Sequence, residues 1–294
     1  MSRTFPSRCA ALVACGILVS TASADERART DPFANPTMKN LMQRIEERAD
    51  KFENSLERAL DRSSLNGSGL EDRLNRWAGL VEDEIDNMAE DYNKKDSKQF
   101  MDHLENAMIG ASGINRAMLA RDLAPAESDW RAVREDLNAV AMEFQRPVLP
   151  NLTVVTIVPV TGDLMSKAEV QQVMQRIEAG TDRFKEKFQR SIQHSTSNMI
   201  PREQMFDNWA DALEDTSDDM LEEFKEKDTK EFAQKMLGTL VVAQAIDRIM
   251  LRSSLAKETQ LEWQQVRADL NTVAGVFGQP LLPDTVVRVR EVKK

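Results

Sequence analysis

The densest run of chemically capable residues is Trp130-x-x-Val133-Arg134-x-Asp136-Leu137-Asn138, which returns as Trp263, Val266, Arg267, Asp269, Leu270 and Asn271. An indole, a guanidinium, a carboxylate and an amide at helical spacing could grip a polar ligand. The same set is what two packed helices use to fix their register. With Leu137 pointing to the core, Arg134 and Asn138 fall on one flank and Asp136 on the other. Pairing between helices is therefore the expected role. Arg44, Arg116, Asp50 and Asp86 are the candidate partners, and Arg134 and Arg116 are each expected to meet a carboxylate of another helix. The tryptophans, on apolar stripes, are expected to pack in the core with a partner for the indole nitrogen.

Other chemistry is sparse. Glu82, Asp83 and Asp86, with Glu214, Asp215, Asp218 and Asp219, make acidic helix faces. Glu82 and Asp86, one turn apart, could share a divalent cation, although a solvated face is the commoner outcome. His103 and His194 are the only histidines. Phe100 stands three residues before His103, which removes the Glu-x-x-His pair of di-iron bundles. The sequence contains no Cys-x-x-Cys-His, no Gly-x-Ser-x-Gly and no glycine-rich phosphate loop. Methionine is plentiful, and Met42, Met88 and Met118 recur as Met174, Met220 and Met250 on apolar seams, where they read as core filler. No catalytic, cofactor-binding or metal-ligating residue is assigned, and no cofactor is expected.

The elements that carry these residues come in two copies. Met42-Gln43-Arg44-Ile45-Glu46 returns 132 positions later as Met174-Gln175-Arg176-Ile177-Glu178. The same offset carries Phe52 to Phe184, Trp77 to Trp209, Asp86 to Asp218, Phe100 to Phe232 and Arg116 to Arg248. One inserted residue then makes it 133, which takes Trp130 to Trp263 and Pro147 to Pro280. A constant offset over so long a span marks an internal duplication.

Within each copy apolar residues recur in steps of three and four, the seam of helices packed nearly parallel. The first copy reads Leu41, Ile45, Ala49, Phe52, Leu56; Leu70, Leu74, Trp77, Val81, Ile85; Phe100, Leu104, Ala107, Ala111, Ile114; and Trp130, Val133, Leu137, Val140, Phe144. Asn35-Pro36 and Ile200-Pro201 suit helix starts, and Ser166 with Glu169 makes a capping box, as does Asp96 with Gln99 and Asp228 with Glu231. Both copies end in proline-flanked leucines, Pro147–Pro150 and Pro280–Pro283, and each is followed by a β-branched run that could pair with the other as extended chain.

The expectation is an all-α protein of two tandem four-helix up-down bundles from an internal duplication, each followed by a short extended segment. Residues 36–147 form the first bundle, 148–165 an extended linker, 166–280 the second bundle and 281–294 an extended tail. Residues 1–24 read as a signal peptide: Arg3 and Arg8, an apolar run from Cys9 to Val19, then Ala22-Ser23-Ala24. Lipidation at Cys15 is the weaker alternative, because Gly16–Val19 continue the apolar run past it. Both cysteines lie in this segment, so cleavage after Ala24 leaves none. Arg3 and Arg8 are its only charges, so the remainder carries −12 against −10 for the whole. Such a chain repels nucleic acid and anionic lipid. No transmembrane segment is expected in the mature chain.

Function is therefore expected to be non-catalytic: an exported, periplasmic or secreted, helical binding or scaffolding protein whose partner is a protein. Two alternatives belong to other classes. One is a small-molecule or metal binder using the bundle interior; the other is a chaperone-like protein that opens amphipathic helices onto its client. An enzyme would need clustered carboxylates in a cleft, and the sequence gives no address for one.

Overall fold

A computed structural model describes residues 32–151, 165–193, 200–226, 228–250 and 255–283. Residues 1–31, most of the linker and the tail beyond Pro283 lie outside the described residues, so the expected signal peptide and the pairing of the two β-branched runs lie outside them too. The described chain is all-helical. Eight α-helices run in order: α1 Pro36–Leu60, α2 Gly69–Lys94, α3 Ser97–Ala117, α4 Glu127–Glu143, α5 Lys167–Gln193, α6 Ile200–Glu226, α7 Thr229–Met250 and α8 Lys257–Val276.

The boundaries follow local chemistry. Asn35 caps α1 by accepting from the Thr37 amide at 2.9 Å, with Pro36 at the first helical position where no donor is lost. Ser68 caps α2 after Gly67, which adopts a φ of 75° that suits glycine. Asp96 accepts from the Lys98 and Gln99 amides, and Asp228 from those of Lys230 and Glu231. Ser166 and Glu169 complete a reciprocal box, each backbone N–H bonded to the other's side chain.

Apart from the half-buried Phe144, the apolar stripes named above are buried, including Ile45, Phe52, Leu74, Ile85, Phe100, Leu104, Val133 and Leu137. Their counterparts Ile177, Phe184, Leu213, Met220, Phe232, Val266 and Leu270 are buried as well. In each half the first helix packs against the second and the fourth, and the second against the third.

Two separate closed bundles are not what results. The buried residues form one continuous cluster, and α3 packs extensively on α7 while touching α4 only slightly. Every residue of α3 from Asn106 to Ala117 is buried, as is every residue of α7 from Gly238 to Met250. A helix apolar on all sides needs neighbours on all sides. The stretch Ala107-Met108-Ile109-Gly110-Ala111-Ser112-Gly113-Ile114 has α2 on one side and α7 on another. Gly113 lies at the closest approach, since a Cβ there would stand 3.3 Å from the Val241 carbonyl oxygen and 3.4 Å from the Trp209 ring. Trp77 and Trp209 stack beside it with ring centroids 4.5 Å apart.

Candidate functional site

The repeated motif lies on α4 and α8, and each of its polar groups is bonded to another part of the chain. Asp136, almost fully buried, accepts from Arg44 on α1 (Nε 3.0 Å, Nη2 2.6 Å) and from Arg48 Nη1 at 2.8 Å. Asp269 accepts from Arg176 on α5 (Nε 3.3 Å, Nη2 2.7 Å) and from Gln265 Nε2 at 3.3 Å. A carboxylate facing an arginine fork fixes the rotation of one helix against the next.

Asn138 holds backbone rather than side chain. Its Nδ2 donates to the Leu149 carbonyl at 3.1 Å, and its Oδ1 accepts from the Leu149 amide at 2.6 Å. Asn271 treats Leu282 alike, accepting at 2.7 Å and donating at 3.5 Å. One amide side chain thus completes a two-bond ladder with an extended residue, and the buried Leu149 and Leu282 anchor the proline-flanked segments.

The tryptophans behave as expected of core residues. All four are buried. Trp130 Nε1 donates to Asn115 Oδ1 at 3.0 Å, and Asn115 Nδ2 passes the connection to the Pro150 carbonyl at 2.9 Å. Trp263 Nε1 donates to Asp247 Oδ1 at 2.7 Å. Asn115 and Asp247 are equivalent positions, so the two copies solve one bonding problem with different charges.

That difference decides the arginines. Arg267 Nε meets Asp247 Oδ2 at 3.1 Å, and its Nη2 reaches the carbonyls of Leu282 and Pro283. Among the described residues Arg134 meets an amide oxygen instead, Asn115 Oδ1 at 3.4 Å. Arg116, 1% exposed, donates to the carbonyls of Leu281 (3.0 Å) and Pro280. The expectation that Arg134 and Arg116 would each meet a carboxylate is therefore corrected. Both cross to another element, but to neutral oxygens, because position 115 is an asparagine and the proline segment offers carbonyls with no N–H to satisfy them.

Arg116 and Arg248 also cross between the halves. Arg116 bonds the segment that ends the second copy, and Arg248 Nη2 bonds the Pro147 carbonyl at 2.7 Å in the segment that ends the first. Burial pulls the Arg116 guanidinium down to about 10, opposed by the Asp247 charge. Burial pushes the Asp247 carboxyl up to about 6, opposed by Arg267, the Trp263 hydrogen bond and Arg116.

The acidic faces lie along the α1–α2 and α5–α6 contacts. Burial, then Asp86, Glu53, Asp83 and Asp50, push Glu82 up to about 7. Burial, then Glu178, Asp182, Glu214 and Asp215, push Asp218 up to about 6. The faces differ where Lys185 bridges Asp211 at 2.9 Å and Glu214, since the equivalents of Lys185 and Asp211 in the first half are Glu53 and Gly79. Among the described residues no group of three or more His, Cys, Asp or Glu side chains is arranged to hold a metal ion, and Glu82 with Asp86 is a shared hydrogen bond.

His103 occupies a site that sequence spacing did not reveal. Its Nδ1 stands 2.6 Å from Glu84 Oε2 and its Nε2 3.5 Å from Asp91 Oδ2, both on α2. The Glu84 hydrogen bond raises its pKa against the opposing effect of burial. Asn106 Nδ2 adds a bond to Glu84 Oε1 at 3.1 Å. No helix among the described residues is long and apolar enough to cross a membrane. Compared with protein-family models, curated proteins and solved structures, the chain matches none.

Proposed function

We propose that this chain is an exported, non-catalytic helical protein that binds or scaffolds a protein partner. In this reading its two halves descend from one duplicated four-helix unit that fused into a single body. The observation that carries it is the employment of the repeated polar residues. Asp136, Asn138, Trp130 and their counterparts are each committed to another helix or to a proline-flanked segment. What selection kept between the copies is thus a set of braces, and function falls to the surface, where the copies differ. The formal charge of the chain, −10, suits a partner with a basic surface.

The reading is tested with the chain from Asp25 onward, carrying a photo-crosslinker at single exposed positions on α1 and α5, in intact envelopes of its source cells. One protein partner, crosslinked from a contiguous set of positions and bound again by the purified chain, is the expected result. Turnover of a small molecule by the purified chain, or crosslinks scattered over every position, overturns it.

A further inference from the structure

The two copies of the α4/α8 brace differ in one respect that bears on binding. In the first half Asp136 receives two guanidinium groups, from Arg44 and from Arg48. The position equivalent to Arg48 in the second half is Gly180. Asp269 keeps the Arg44 equivalent, Arg176, and in place of the second guanidinium has only the neutral Gln265 amide at 3.3 Å.

A groove of about 480 Å³ opens at that place, bordered by Gln175, Arg176, Gly180, Gln265, Val266 and Asp269. Its volume falls within the range of small-ligand sites. Glycine there keeps α5 close to α8, since a Cβ would stand 2.9 Å from Val266 Cγ2. The bordering cations are already paired. Arg176 is held by Asp269, and Arg183 by Glu262 at 2.9 Å. Lys187 also bonds Glu262. The equivalent ion pair in the first half, Lys51 with Asp129, stands beside Arg48 without excluding it.

The first half therefore shows which group this carboxylate accepts as a second partner. We propose that the α5–α8 groove beside Asp269 binds a guanidinium group from outside the chain, which takes the place that Arg48 holds on Asp136. Asp269 keeps lone pairs beyond those that the Arg176 fork uses, and the Gln175 and Gln265 carbonyls offer neutral acceptors for the remaining N–H groups. This goes beyond the proposed scaffolding role, which does not require the groove to be filled. The guanidinium could belong to a free small molecule or to an arginine of a protein.

The test is NMR titration of the full-length mature chain with methylguanidine, with the peptide acetyl-Gly-Arg-Gly-amide, and with the same peptide carrying citrulline. Saturable shifts at Gly180 and at the Gln265 side-chain amide are expected with the first two and none with citrulline. A tenfold tighter peptide points to a protein arginine, and equal affinities to a free guanidinium compound. The Arg48→Gly variant should gain a second, similar set of shifts around Asp136. Absence of saturation, or equal response to citrulline, overturns the proposal. So does an Arg48→Gly variant that folds but gains no second site. Because Gly180→Arg must crowd Val266, its thermal midpoint is measured alongside; a folded variant that still binds at Gln265 also overturns it.

Discussion

Trp77 and Trp209 occupy equivalent positions of the two copies, and their rings stack on each other 4.5 Å apart and 24° from parallel. Two tryptophans related by the 132-residue offset thus meet face to face, on helices α2 and α6 that flank the α3–α7 contact. With the reciprocal bonds of Arg116 and Arg248, this ties the halves into one core.

Replacing either tryptophan should therefore be felt in both halves. Trp77→Ala and Trp209→Ala should each cost about 3–5 kcal/mol, since a buried indole is lost to a cavity. The double variant should cost less than the sum by about 1 kcal/mol, the stacking shared between them. Urea unfolding followed by circular dichroism should give one transition that moves as a whole. Two transitions, with only one displaced, would mean that the halves fold independently.

Asn138 controls the segment that closes the first copy. Asn138→Ala removes both bonds to Leu149 and should cost about 1–2 kcal/mol. Amide exchange at Leu149 should accelerate relative to the α4 interior, and Asn271→Ala should do the same at Leu282. Unchanged protection at Leu149 would show that the Leu149 side chain, not the asparagine, holds the segment.

Asp247 should make stability fall with rising pH. Its folded pKa of about 6 lies above the ordinary carboxyl value near 4. The folded state then binds the proton more tightly than the unfolded one. Its contribution is fully present below pH ~4 and is lost as pH rises through about 6. Asp247→Asn copies the Asn115 solution of the first half, keeps an acceptor for Trp263, and should remove this slope. Denaturation midpoints of the two proteins that run parallel between pH 4 and 7 would exclude the effect.

Three partly exposed groups act in the same sense. Glu82 is raised to about 7, Asp218 to about 6, and His103 upward by Glu84. Each favours the folded state at low pH and loses that contribution as pH passes its folded value. The thermal midpoint should accordingly be higher at pH 5 than at pH 8. Glu82→Gln should raise the midpoint at pH 8 while leaving pH 5 nearly unchanged, and a midpoint that climbs from pH 5 to pH 8 contradicts the whole assignment.

The helices were legible because their signals are local. Ser166 with Glu169, Asn35-Pro36 and the buried stripe Leu41, Ile45, Ala49, Phe52, Leu56 each declare themselves within a few turns, through hydrogen-bond donors that need capping and side chains that need burial. The α1–α4 brace was half legible. Arg44 was a named partner of the motif, yet its match to Asp136 rather than to any other carboxylate depends on helix rotation.

Sequence by itself determined an all-helical chain with an internally repeated pattern, and most of the residues that face inward on each helix. Tertiary structure alone decided how the halves meet. Ala107, Ala111 and Ile114 make one stripe by spacing, although small and apolar residues surround that helix on every side and need a neighbour on each. Which neighbour cannot be read from periodicity, because burial is non-directional and α7 satisfies it as well as α4 would. The destinations of Asn138 and Arg116 were hidden for a related reason. Both bond backbone carbonyl groups, which every residue carries and which therefore leave no mark in the sequence.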